Sequence, residues 1–402
     1  MNVPIPRPGL RGLLPRLASL RISVVCIALL FILTAWGTLY QAEHGLYAAQ
    51  TRFFHSWFFL VWGVIPFPGA QAVILALFVN LLASMVFRVK YSLGNLGNVV
   101  THAGILFLLV GSFVTYHFAQ ESYLPLAEKE VSNVSLDRRI WELAAWQEPT
   151  AGVERKVTAV ELGPDQTGRE IDFSEYGIKA VVSNYYRNCK LEEISQGGVA
   201  QAGAVKLAPR SPAQDPEDNT AGAILRVKKA DGSEQEVLLY GGQDEPVRVA
   251  SGNGAFRIAL RQQRHPLPMT MRLLDVRKKD YPGTGIARSY ESDVEVESDG
   301  VTFKTRIYMN HPLHYKGFIF YQSSYAVNAQ GKETSVFAVV ENRGRLVPYI
   351  SGGLVFGGMV LHFLMMLFGY GRRPGSQGSS RLNGYAASAR RDEGNRKIEV
   401  LK

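Results

Sequence analysis

VVTHAGILFLLVGSFVTYHF, from Val99 to Phe118, is twenty residues without a charged side chain. A hydrocarbon layer ~30 Å thick is crossed by about 20 helical residues, so this stretch reads as a membrane span. Three further uncharged runs stand around it: Ile22–Tyr40, Phe58–Phe87 and Leu346–Tyr370. Between the third and fourth runs lies Ala119–Arg345, too polar for lipid. The predicted fold class is an integral membrane protein with four transmembrane α-helices and a large extracytoplasmic, antiparallel β-rich, sandwich-like domain. The layout is a basic N-terminus (1–21), three spans with an interfacial aromatic segment (22–118), the β-rich domain (119–345), a fourth span (346–370) and a basic tail (371–402).

The charge distribution orients these spans. The 402 residues carry a formal net charge of +9. Residues 1–21 hold +4 of it, Arg88–Asn98 hold +2 and the chain from Arg372 onward holds +5, so everything else carries −2. With four spans all three basic segments fall on one side, which the positive-inside rule makes the cytoplasm. The basic excess is therefore membrane topology, and no nucleic-acid partner is expected. The first run is longer than a signal-peptide core, and Trp36-Gly37-Thr38-Leu39-Tyr40 has no small-x-small cleavage pattern, so it reads as a retained anchor.

Local breaks refine the spans. Pro66-Phe67-Pro68-Gly69 interrupts the second run, leaving Ala70–Phe87 as the span. Phe53–Ile65, with Phe53, Phe54, Trp57, Phe58, Phe59 and Trp62, then lies at the outer membrane surface, where aromatic rings are favoured. Gly353 and Gly357 make a small-x-x-x-small face for close helix packing. In the polar region, Ala223–Lys229 and Glu234–Tyr240 form a predicted hairpin about Ala230–Ser233, and Asp293–Glu297 with Thr302–Met309 form another at Asp299-Gly300. Arg257–Leu260, Thr270–Val276, Gly317–Gln322 and Ser335–Val340 add strands, and Ala202–Thr220, with three prolines, reads as an exposed loop.

Two cysteines, Cys26 in the first span and Cys189 in the polar region, are not placed to pair. The absence of Cys-x-x-Cys argues against a thioredoxin-like centre, a zinc ribbon and covalent heme attachment on this chain. Cys189 reads as an inert thiol. His311 and His314 are three apart, which on a strand sends them to opposite faces, so they are not a metal pair. His44, His55 and His265 read as solvated loop residues.

His102, His117 and His362 fall inside predicted spans, where an ionisable group is costly and tends to mark function. His117 stands at a membrane interface, where packing is a sufficient reason for it. A proton relay needs partners, and the spans contain no Asp or Glu. Axial ligation of heme iron needs an imidazole, an apolar slot and room for the macrocycle, and Ala103 and Gly104 offer room beside His102. The residues alone leave packing and ligation both open.

Several segments resemble the ResB (CcsB) family of cytochrome c biogenesis proteins. They are Leu20-Arg21-Ile22 and Gly37-Thr38-Leu39 in the first span, and His102-Ala103-Gly104-Ile105-Leu106 with Leu108-Leu109-Val110-Gly111 in the third. In the polar region they are Asn310-His311-Pro312-Leu313, Tyr315-Lys316-Gly317 and Tyr321-Gln322-Ser323-Ser324-Tyr325. The resemblance implies a heme-handling subunit of a cytochrome c synthase complex in the plasma (inner) membrane or the thylakoid membrane, with both termini cytoplasmic. Its partner is a ResC (CcsA)-type protein with a tryptophan-rich heme-handling segment, which this chain lacks. The heme, bound non-covalently as b-type and transported, is attached by thioether bonds to apocytochrome c by the complex rather than by this chain alone. The resemblance further implies an axial-ligand role for His102, with His362, about 7 Å from the same depth by helical rise, as reserve ligand should the third and fourth helices be neighbours. Arg88 and Lys90 stand where propionates would meet them. The alternative is a membrane-anchored sensor or adaptor with an extracytoplasmic β-domain and no heme role. The outer domain is expected to dock partners without chemistry of its own.

Overall fold

Helices form where the uncharged runs stand: α1 (Leu20–His44), α2 (Ala70–Phe87), α3 (Leu96–Phe118) and α4 (Val347–Tyr370). All four are long and apolar enough to cross a membrane. The structure is a computed structural model that describes residues 16–147, 156–196, 199–229, 232–243, 245–251, 254–327 and 331–370. The N-terminal arginines before Arg16, the basic tail after 370 and the turn residues 230–231 lie outside the described residues. α1 stops at Gly45, whose φ of 83° only glycine adopts freely. α2 starts at Ala70, directly after the Pro-Phe-Pro-Gly break.

The chain divides into two compact units. In the first (1–23, 77–111 and 346–402), a polar stripe on α2 grips the segment leading into α1. Asn80, 2% exposed, accepts from Ser23 Oγ at 2.5 Å and donates to the carbonyls of Leu17 and Ser19. One and two turns on, Ser84 and Arg88 donate to the carbonyl of Ala18 at 3.3 and 2.8 Å. A buried amide is tolerated only when it is hydrogen-bonded, and the carbonyls of Leu17 and Ser19 with the Ser23 hydroxyl supply those bonds.

In the second unit (24–76 and 112–345), the segment after α1 is a helical turn (Leu46–Ala49), a π-turn (Gln50–Phe54) and a hairpin of Phe58–Val61 with Ile65–Pro68. The polar region is all antiparallel. A four-stranded sheet runs in the order Glu234–Tyr240, Gly222–Lys229, Ile178–Tyr186, Glu170–Phe173. A ten-stranded sheet is centred on Gly254–Asp280, which pairs with Ala287–Ser298 on one side and Val131–Gln147 on the other. Both hairpins predicted from the sequence form, the second turning at Asp299 (φ 52°) and Gly300 (φ 75°).

Two cores result. One is a sandwich filled by Leu143, Ile258, Phe173, Leu225 and their neighbours; the other holds Leu124, Met271, Val294, Phe320 and Phe337. The strand Gly254–Asp280 serves both. It buries Phe256, Ile258 and Leu260 in the first, then Leu267, Met269, Met271 and Leu273 in the second, so the buried positions change from even to odd. The pairing register slips between Gln262 and Arg264 and again between Pro266 and Met271, and because Leu267 is already in the odd phase the change falls at the first slip. A one-residue slip turns every following side chain to the other face. The sequence reading divided this strand into two short ones because the prolines hide its continuity.

The expected loop Ala202–Thr220 is shorter than its composition suggests. Val199–Pro209 is a strand paired with Cys189–Gln196, and the loop begins at Arg210, after the first proline. The loop is docked: Gln214 Nε2 donates to Glu43 O at 3.2 Å, and Glu217 bridges Arg138 and Arg139 at 3.0 and 3.1 Å.

Candidate functional site

The buried residues of α3 are three glycines seven apart, Gly97, Gly104 and Gly111. Seven residues fall ~20° short of two turns, so the glycines form one stripe, and α4 lies along it. A Cβ placed on Gly97 would come within 2.6 Å of His362 Cα and 2.7 Å of Gly358 O. One on Gly104 would meet Leu354 Cβ at 3.0 Å, and one on Gly111 would meet Val347 Cβ at 2.6 Å. Conversely, a Cβ on Gly358 would stand 2.6 Å from Thr101 N. α3 and α4 are thus antiparallel neighbours in backbone contact. The expected packing face, Gly353 and Gly357, meets nothing within 4 Å. The contact uses Gly358, one residue and ~100° further round, because α3 supplies most of the small residues.

His102 stands roughly 150° around α3 from that stripe, on the face turned from α4. It is half-buried, and its Nδ1 lies 2.8 Å from Asn98 O. A carbonyl cannot donate, so the proton of that bond sits on Nδ1 and the neutral ring presents its lone pair at Nε2. A metal-ligating histidine commonly has its second nitrogen held this way. The room expected from Gly104 is taken by α4, so space beside His102 comes from Ala103, which is exposed.

His362 does not join it. α3 and α4 are neighbours, and His362 lies level with Gly97, five residues or about 7 Å of rise from His102. Its backbone, however, is in the glycine seam, while His102 is on the far side of α3. Arg88, expected near propionates, spends one donor on Ala18 O and keeps an exposed guanidinium. Sequence reasoning passed over Asn80, although a lone amide in an uncharged run, followed at four-residue steps by Ser84 and Arg88, was a readable signal.

The other histidines are engaged locally. His117 Nδ1 lies 3.1 Å from Phe113 O, His44 stacks on Tyr40 at 3.9 Å, and His55 meets the Tyr116 ring at 5.2 Å. His265 contacts Gln120 at 3.0 Å. His311 stacks on Tyr308 at 4.1 Å while His314 sits in the strand Leu313–Tyr315. Among the described residues no three His, Cys, Asp or Glu are grouped to hold a metal ion. Cys189 is buried, and burial pushes its thiol pKa up, as an inert thiol requires.

Four of the remaining motif residues, Lys316, Gly317, Gln322 and Tyr325, are framework. Lys316 (φ 48°) and Gly317 (φ 88°) form the two-residue turn into Phe318–Val327. Lys316 Nζ donates to Ser298 Oγ at 2.6 Å and to the Asp299 carboxylate. Gln322 accepts from Ser292 Oγ at 2.7 Å and donates to Ser335 Oγ at 3.0 Å, and both serines are fully buried. Tyr325 donates to Glu333 at 2.5 Å, and that bond pushes its pKa up to about 12.

Comparison with known proteins adds a family and two partial likenesses. Residues 80–398 match the model of the ResB-like family. A stretch of 109 residues is 30% identical to Protein NrfI of Wolinella succinogenes, covering 27% of this chain and 12% of NrfI, so the chain spans only a small part of that curated relative. A solved structure titled Cytochrome c Heme Lyase CcmF aligns over 89% of this chain and 36% of its own, at 10% identity and a TM-score of 0.20, too low to argue from.

Proposed function

The chain belongs to the ResB-like family, and from that premise we propose that it is a heme-handling membrane subunit of a cytochrome c synthase complex. A part in cytochrome c biogenesis goes with the family; the handling of heme by this chain is our reading. The observation that carries it is His102: a half-buried imidazole in an uncharged helix, its Nδ1 held by Asn98 O and its Nε2 left on the face of α3 away from α4.

That geometry fits one axial position of a non-covalently held, transported heme. His102 Nε2 would hold the iron, with Nδ1 kept on Asn98 O by the backbone. His362 stands on the other side of α3, and a ResC (CcsA)-type partner is our candidate for the second group that would hold the heme. Thioether formation with the thiols of apocytochrome c then belongs to the complex. The basic segments support cytoplasmic termini, and an inner or thylakoid membrane location. A reporter active only outside should be active when fused after Leu136 and silent after Arg373.

The test is spectroscopic. The Soret absorbance per milligram of the complex purified with its partner should fall strongly in His102→Ala, with protein yield maintained. An unchanged ratio would remove His102 from the site.

A further inference from the structure

Between α1 and α2 the chain places a large apolar surface that nothing else in the described second unit covers. The hairpin Phe58–Val61/Ile65–Pro68 alternates cleanly. Phe59 and Val61 turn inward, Phe59 meeting the rings of Phe53, Phe67 and Trp36 at 5.0, 5.6 and 5.8 Å. Phe58, Leu60 and Trp62 turn outward, and with Val64 and Ile65 make a tip in which Trp62 is 86% and Val64 78% exposed. From Phe53 to Phe87 there is no Asp, Glu, Lys or Arg. The nearest cation, Arg52, is held at the root, over the Tyr40 ring at 5.2 Å and donating to Leu60 O at 3.1 Å.

What covers such a tip follows from where the chain puts it. Its root packs on Trp36 and Tyr40, in the last three turns of α1, through Phe53. Its second strand runs through Gly69 into α2, with Gly69 N donating to Trp57 O at 2.8 Å. Both helices are candidate spans, so the hairpin stands where two spans leave the bilayer. A protein-docking patch on a non-obligate interface carries a polar rim, whereas this tip has apolar side chains and the indole of Trp62, a ring favoured at headgroup level. Depth is limited by the backbone. A two-stranded hairpin keeps unpaired edge groups, which hydrocarbon does not satisfy. Pro66 and Pro68 remove two of the edge N–H donors, which eases shallow immersion without permitting a deep one.

We infer that Phe58–Pro68 is a lipid-inserted wedge, its Trp62–Ile65 tip seated at the boundary between phospholipid headgroups and acyl chains. The inference rests on the membrane reading of α1 and α2 and is independent of heme ligation. The two native cysteines are buried, so a label can be directed to Val64→Cys, at an exposed tip position, and to Val301→Cys, an exposed site on the β-domain. With the full chain in phosphatidylcholine nanodiscs, an NBD fluorophore at position 64 should lose most of its emission to a nitroxide at acyl carbon 5, less to one at carbon 12, and little to iodide. The fluorophore at position 301 should show the reverse, quenched by iodide and indifferent to lipid nitroxide. As a label-free control, Trp62→Phe should remove part of the tryptophan quenching caused by shallow brominated phosphatidylcholine. Iodide access at position 64 equal to that at 301 would overturn the inference, and so would protection from iodide and lipid nitroxide alike, which means a protein cover.

Discussion

The family-like residues of α3 and the more specific set Asn310–Tyr325 sit differently in the molecule. In the β-domain Lys316, Gln322 and Tyr325 are consumed by the fold: Lys316 clamps one turn to another, Gln322 joins two buried serines, and Tyr325 bonds Glu333. In α3 it splits. Gly104 and Gly111 are committed to α4, whereas His102, among the described residues, bonds its own helix through Nδ1 and keeps Nε2 unspent. The lesson is that a motif marks constraint of either kind, and only the count of satisfied atoms separates framework from site.

Loading the glycine stripe should break the molecule first. Gly97→Leu would drive a side chain into the backbone at Gly358 and His362, which cannot step aside, so we expect loss of most folded protein, an overpacking cost at or beyond ~3 kcal/mol. Gly353→Ala, facing open space, should leave yield and melting temperature unchanged. Size-exclusion recovery of the two variants decides it, and equal losses would refute the seam.

The other face of α3 should behave in the opposite sense, with function lost and fold kept. His102→Gly should purify normally with little heme, and added imidazole should restore the Soret band by filling the vacated space. The neutral form ligates, so rescue should strengthen as pH rises past the added imidazole's own pKa, roughly 7. His362→Ala should keep its heme. Heme retained in His102→Gly and lost in His362→Ala would exchange the two roles.

How far the sequence could be read follows from these cases. Spans and hairpins were legible because charge-free length and turn chemistry are local. The helix seam was not: the sequence offers glycines on both helices, and which of them touch depends on rotation, so Gly353 and Gly357 were as plausible as Gly358. The continuity of Gly254–Asp280 was hidden by Pro266 and Pro268, which lie within the strand without ending it. His102 was legible as an anomaly in lipid. That Gly104 serves α4 and that His362 stands apart from His102 needed the packed helices.

Within the β-domain, Gln322→Ala tests whether its motif is framework alone. The change leaves Ser292 and Ser335 with each other, at 2.8 Å, and strands the Ser335 proton in a buried site, at about 1–3 kcal/mol. The melting temperature of the purified chain should fall by several degrees while heme per milligram of folded protein stays constant. A drop in heme at equal folded mass would give Gln322 a functional role.

The smallest effect is expected one residue along the same strand. Ser292 is buried, but Asp293 faces the other way and lies 2.7 Å from Arg306 and 2.8 Å from Arg277. The Arg306 hydrogen bond, with that of Arg277 and the charge of both, holds the Asp293 carboxyl below its usual range against the opposing effect of partial burial. A depressed folded pKa contributes stability that is fully present above the unfolded value, near 4, and is lost as pH falls through the folded one. The site is partly solvated and its arginines are screened, so the contribution should stay below about 1 kcal/mol. Asp293→Asn should therefore melt slightly lower than the parent at neutral pH and converge with it on acidification below about pH 4. Melting curves of both proteins across that range would show it, and a gap that persists at the acid end would mean that Asp293 acts by packing rather than by charge.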